Sequence, residues 1–316
     1  MNAFKKHIGY QRTFQENKLT LGMIFPLEGY EGNIPKMDIA EQIKLAQLAE
    51  ESNFASLFVR DVPLNDPMFG DAGQMYDPWV FLSFVAAHTN KIALGTASAI
   101  TSFQNPLNLA KSAASMDKIS EDRLLLGLAT GDRPIEFKAF GVNRERRSEF
   151  YREAIQVMKE VWGKPYPIIH SDRVRLNGET DILPKPTSGD IPTLITGFSG
   201  QSLEWIAKNG DGWMSYPRNP QEQGRMISDW RSLTDRFKPF TQSLYIDLLE
   251  DPDAKPVPIH LGFRSGSKFL VEFLKQLEAV GVNHVLLTLK FAQRPIEDVI
   301  QELGEYVIPH FPALRN

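Results

Sequence analysis

The chain reads as an α/β protein, a (β/α)8 TIM barrel with insertions, because three features recur along it. Short apolar runs alternate with longer segments of helical period, a cap residue followed by proline opens several of those segments, and the alternation completes eight rounds in 316 residues. A length prior of about 150 residues per domain suggests two domains, but α/β barrels often spend such a length in one. Residues 1–316 are therefore read as a single domain, with a doubly wound open sheet as the competing arrangement.

In chain order, residues 1–18 are polar and irregular and are expected to lie as an arm on the surface. Leu19 to Pro26 is the first strand. Asp38, with Glu41 three residues on, has capping-box spacing for a helix whose apolar face includes Ile39, Ile43 and Ala46. Ala55 to Val59 is the second strand, ending in Arg60-Asp61. Asp77-Pro78 opens the next helix, Ile92 to Ser98 is the third strand, and Asn105-Pro106 repeats the cap-plus-proline device. Arg123 to Ala129 is the fourth strand, an apolar run with little alternation, and it breaks at Thr130-Gly131-Asp132 before a helix at Pro134.

The second half is less regular. Asn143 is placed to cap a helix from Arg144 to about Trp162, and Gly163 to Pro186, with prolines at 165, 167, 184 and 186, reads as an insertion holding one hairpin. Thr193 to Thr196 is the fifth strand, followed by a helix capped by Ser199 and closed at Asn209-Gly210. Gly212 to Ser215 is the sixth, and Asn219-Pro220 starts a helix expected to reach about Phe237. Ser243 to Leu249 is the seventh strand, with Pro258 to Phe263 as its rival. Ser265 opens a helix closing at Gly281, His284 to Leu289 is the eighth strand, and Pro295 begins the last helix.

Composition narrows the function. A net charge of −4 and a pI near 5.9 give no basic footprint for nucleic acid or an anionic membrane. With no long apolar run and no export leader, a cytoplasmic protein is expected. The absence of cysteine excludes disulfides, thiolate chemistry and cysteine-ligated metal. The six histidines are scattered without ligand spacing, and H-E-x-x-H, G-x-S-x-G, Walker A and G-x-G-x-x-G are all missing, so no metal site is expected. Ser265 and Lys268 fit S-x-x-K, but so do Ser115 and Lys118, which shows how little that pattern means alone.

What remains is a pair of anion-friendly turns at strand ends. Thr130-Gly131-Asp132 joins strand four to a helix, and Gly197-Phe198-Ser199-Gly200-Gln201-Ser202 follows strand five. Free backbone N–H groups and hydroxyls at such junctions suit a phosphate, and the two turns are neighbours in a barrel. Neither turn contains a lysine or arginine, so N–H groups and hydroxyls carry the expectation.

Asp77-Pro78-Trp79 and the block from Lys91 to Val142, KIALGTASAITSFQNPLNLAKSAASMDKISEDRLLLGLATGDRPIEFKAFGV, resemble the bacterial-luciferase-like flavin monooxygenases and oxidoreductases. The later G-x-S-x-x-S and Asp211-Gly212-Trp213 are similar to that family's second half. The resemblance spans roughly residues 20 to 310 and implies an FMN lying across the barrel mouth. It implies Ala97 and Ser98 beneath the flavin ring, where family members often have a cis peptide. It puts Thr130, Gly131 and Asp132 on one side of the phosphate, Gly197, Ser199 and Ser202 on the other, and Arg147 as an added charge. A homodimer and a separate flavin reductase are implied as partners, with a small organic molecule as substrate.

One departure stands out. Many relatives carry histidine at the end of strand two, whereas this chain has Arg60-Asp61. Arg60 is expected to hold negative charge on the flavin or an acidic substrate, with Asp61 orienting it. Arg264 is a further mouth candidate. Three activities fit: an FMN-dependent monooxygenase or oxidoreductase, a deazaflavin-dependent hydride-transfer enzyme, and a non-catalytic flavin-binding protein.

Overall fold

The structure, a computed structural model, describes residues 4–68 and 76–315; the part of the loop after Arg60 at 69–75 lies outside the described residues. Eight parallel strands close on themselves: β1 (Thr20–Ile24), β2 (Ser56–Val59), β3 (Ala93–Thr96), β4 (Leu124–Ala129), β5 (Thr193–Thr196), β6 (Gly212–Ser215), β7 (Phe240–Leu248) and β8 (His284–Thr288). Closure is made where β8 pairs with β1, Thr20 opposite His284. The open-sheet alternative is excluded, because β6 pairs with β7 and β7 with β8 in one ring.

The cap-plus-proline devices work as the sequence predicts. Asp77, Asn105 and Asn219 each accept a backbone N–H from the first turn of helices Pro78–His88, Pro106–Ile119 and Pro220–Arg231. Proline loses nothing at the first helical position, where its missing N–H has no intrahelical partner. Asp38 caps Ile39–Glu51 in the same way. The insertion holds the expected hairpin, Ile168–His170 against Arg175–Asn177.

Several expectations are corrected. The helix from Asn219 stops at Arg231, and β7 starts three residues early, at Phe240. The rival for β7 is a strand too: Val257–Ile259 and Gly262–Ser265 form a hairpin whose second arm runs parallel to the outer half of β7, Tyr245 opposite Gly262. Ser265 therefore ends a strand, and the following helix is Ser267–Ala279. Arg144–Arg146 is a 3-10 turn before the helix Arg147–Gly163.

The largest correction concerns the amino-terminal arm. It contains a helix, Ile8–Thr13, and Phe4, Tyr10 and Phe14 are buried together with the barrel interior residues Ile24, Phe58, Leu125, Leu194, Met214 and Leu286. Their rings meet in series, Phe4 to Tyr10 at 5.4 Å and Tyr10 to Phe14 at 5.2 Å, and so plug the end where the strands begin. Phe14 and His284 meet nearly perpendicular, centroids 5.8 Å apart, and that imidazole is held between the hydroxyls of Thr20 and Ser56, both at 2.7 Å. A Cβ at Gly22 would lie 2.8 Å from His284 Nε2, so this layer needs glycine there. A second, larger apolar shell lies between the outer strand faces and the helices.

Candidate active site

The opposite end of the barrel opens into a cavity of about 260 Å³ lined from all eight strands or the loops that follow them. This is the carboxyl end of the strands, where barrel enzymes place their chemistry. Arg60, Asp61, Ala97, Ser98, Thr130, Gly131, Asp132, Gly197 and Ser199 all line it.

The wall at β3 is small and fixed. The Ala97–Ser98 peptide is cis. Ser98 Oγ hydrogen-bonds Thr196 Oγ1 across to β5, and Thr130 O accepts from Ser102 Oγ at 2.7 Å. Both turns curl through positive φ, Gly131 at 84° and, in the second, Gly197 at 56°, Ser199 at 49° and Gly200 at 69°. Such curls turn successive N–H groups to one side. The second turn is tied down by Gly197 N to Met214 O and by Trp213 Nε1 to Gly197 O, each 2.7 Å. A Cβ built at Gly197 meets nothing within 4 Å, so this turn borders open space.

The cap of the helix after β5 is corrected from Ser199 to Ser202, whose Oγ accepts from Trp205 N at 3.2 Å. Left-handed residues at 197, 199 and 200 delay the helix, which starts only at Leu203. Ser199 instead donates to Thr196 O at 2.8 Å. Ser202 and Arg147 do not line the cavity, and Arg147 donates to Arg144 O at 3.0 Å. Arg264 is bound at 2.6 Å to Asp247 and also stands apart from it.

The sequence reading passed over a cation. Arg133, next to Asp132 in the first turn, is buried in the cavity wall, 3.8 Å from the buried Glu136 carboxyl. It was hidden by its place between an interrupted strand and a helix-opening proline, where an arginine normally faces solvent. Tyr245 was missed as well. It lies two residues beyond Ser243 on the inward face of β7, and its hydroxyl receives Arg60 Nη at 2.7 Å.

Asp61 lies next to Arg60 in the cavity lining. Its Oδ2 accepts from Ile100 N at 2.9 Å, and burial pushes its carboxyl up to about 6, the Ile100 bond opposing the shift. Burial also raises Glu136, with Arg133 pulling it back. Two carboxyls with raised proton affinity therefore face a cavity that also carries two guanidinium groups.

A flavin asks for a flat wall of small side chains, a polar turn for its phosphate and apolar cover. The small side chains of Ala97 and Ser98, the paired turns, and Ile24, Met214 and Leu286 at the cavity base meet those needs. Among the described residues, no helix is long and apolar enough to cross a membrane.

Comparison with known proteins follows the same line. An uncharacterized Mycobacterium tuberculosis protein, Rv0953c, is 31% identical over 232 residues, covering 67% of this chain and 79% of its own length. The monooxygenase RslO1 from Streptomyces bottropensis superposes with a TM-score of 0.76 at 19% identity over 92% of this chain and 99% of that one. An F420-dependent secondary alcohol dehydrogenase, solved with an F420–acetone adduct, gives 0.75 at 17% identity over 95% and 100%. The family model for luciferase-like monooxygenases matches residues 19–244, most of the barrel and both turns, and the chain belongs to that family of oxidoreductases.

Proposed function

We propose that the chain is an FMN-dependent monooxygenase acting on a small organic substrate, with reduced flavin delivered by a separate flavin reductase. The observation that carries the reading is the convergence of the turns at Thr130–Asp132 and Gly197–Ser199 on one cavity, beside the small side chains of Ala97 and Ser98. Bound flavin supplies the electron pair of the reaction. Ala97 and Ser98 support the ring. The backbone N–H groups of the two turns, with Thr130 and Ser199, hold the phosphate, the Ser199 hydroxyl turning from Thr196 O to do so. Arg133 adds charge from the first turn. Arg60, braced by Tyr245, balances negative charge on the ring, and Asp61, its proton affinity raised by burial, can exchange a proton beside it.

A second reading, hydride transfer with a deazaflavin, is favoured by the F420-dependent neighbour that this fold matches over its whole length. Titrations of the purified protein with FMN and with F420, followed by visible absorbance, separate the two. FMN is expected to bind, and oxygen uptake with reduced FMN distinguishes a monooxygenase from a passive flavin carrier. Ser199→Ala should weaken FMN binding roughly 10- to 150-fold, the range for a lost hydrogen bond to a charged group. Binding of F420 alone would replace the first reading by the second. Unchanged FMN affinity in Ser199→Ala would remove the phosphate assignment.

A further inference from the structure

At the closed end of the barrel, remote from the cavity, three potential ligands meet. His7 of the arm faces Asp117, near the end of helix Pro106–Ile119, and Asp122, just before β4. All three side chains are buried, and one ligand atom from each lies within 4.8 Å of the others. His7 Nε2 stands 3.6 Å from Asp117 Oδ1 and 3.6 Å from Asp122 Oδ1. That is too long for an N–H···O hydrogen bond. Accordingly His7 Nε2 and Asp117 Oδ1 are buried with no hydrogen-bond partner.

The two His7 distances match something else. Ligands held about 2.0–2.2 Å from a tetrahedral ion are about 3.3–3.6 Å apart, the bond lengths being those of zinc with nitrogen and carboxylate oxygen. The outer oxygens are already oriented, as those of metal-binding carboxylates usually are. Asp117 Oδ2 accepts from Thr187 N at 2.7 Å; Asp122 Oδ2 accepts from Ser188 Oγ at 2.9 Å and from Ile8 N at 3.4 Å, and the same Ser188 hydroxyl lies 3.1 Å from Asp122 Oδ1, which it releases when the ion binds. Among the described residues, no lysine or arginine forms an ion pair with either aspartate. Two adjoining buried carboxylates with no lysine or arginine beside them are costly, and a divalent ion offsets that cost.

We propose that His7, Asp117 and Asp122 bind a divalent ion of the zinc type that fastens the amino-terminal arm to the barrel floor. The ion is structural, because the site is closed to solvent and lies at the end of the strands opposite the cavity. Binding has one local consequence. His7 Nδ1 accepts from Tyr10 N at 3.1 Å, which leaves the ring proton on Nε2. Coordination through Nε2 moves that proton to Nδ1, so Tyr10 N loses its acceptor and the first turn of Ile8–Thr13 readjusts. No proton leaves the imidazole overall.

The test uses the full chain, purified without metal-affinity steps, and is independent of the flavin. Elemental analysis should find about one equivalent of zinc per chain. Removal with dipicolinate should lower the melting temperature by several degrees, and added Zn²⁺ should restore it. His7→Gln and Asp117→Asn should lose both the metal and the response to chelator. If stripped and zinc-supplied wild-type protein melt together and neither holds stoichiometric metal, the Nε2 proton is merely shared between the two carboxylates and the proposal falls. Full zinc content in His7→Gln would overturn it equally. The wild-type strip-and-restore experiment decides the matter even if a variant fails to fold.

Discussion

The two ends of this barrel use the same physics to opposite effect. At the floor, burial drives His284 down to about 3, so the imidazole stays neutral between two hydroxyls at any working pH. At the mouth, burial drives Asp61 up to about 6, into the range where its charge changes. Desolvation opposes charge of either sign, so it lowers a histidine and raises an aspartate. The floor thereby becomes chemically inert, closed by Phe4, Tyr10 and Phe14. The mouth keeps titratable groups beside open space. Stability and chemistry are separated along the barrel axis, as is general for this architecture.

That separation can be broken most visibly from the floor. Phe14→Ala removes a ring that is 3% exposed and packed on Tyr10 and His284. Such truncations cost about 3–5 kcal/mol. Urea unfolding should show that loss, while flavin affinity of the folded protein stays unchanged. Equal loss of flavin binding in folded protein would mean that the two ends are coupled.

The mouth gives a smaller, pH-dependent effect. A free aspartate ionises near 4, and Asp61 does so near 6. Between those values the folded chain keeps a proton that the unfolded chain releases, so stability falls as pH rises from about 4 to about 6 and is level above it. The shift of about two units corresponds to at most roughly 3 kcal/mol, less where solvent reaches the carboxyl. Asp61→Asn should remove this part of the slope in urea midpoints measured across that range. A slope identical to wild type would show that Asp61 titrates normally.

The comparison also explains what could be read from the sequence. Each barrel helix announced by Asp-Pro or Asn-Pro was legible, because the cap and the proline act on residues beside them. Most cavity residues at strand ends were legible for the same reason, since each follows directly from its own strand; Arg133, beside a helix-opening proline, was not. The arm was not. Its helix has six residues, too few for a period to show, and the polar residues around Phe4, Tyr10 and Phe14 disguise a plug whose partners lie across the barrel. Arg60 and Tyr245 are likewise 185 positions apart, and only closure of the ring brings them together. In the phosphate turn the three-residue spacing of Ser199 and Ser202 was visible, but not the run of left-handed residues that hands the cap to the second serine.

Those two serines sharpen the contrast within a single turn. Ser199 is buried in the cavity wall, whereas Ser202 is exposed and its hydroxyl serves the backbone of helix Leu203–Asn209. Ser202→Ala removes the cap alone, which costs about 1 kcal/mol. It should lower the melting temperature slightly and leave FMN affinity as in the wild type, against the large loss expected for Ser199→Ala. If both variants weaken FMN alike, the phosphate extends past the cavity to the helix end, and the boundary between the binding turn and its support lies at Leu203 rather than between the serines.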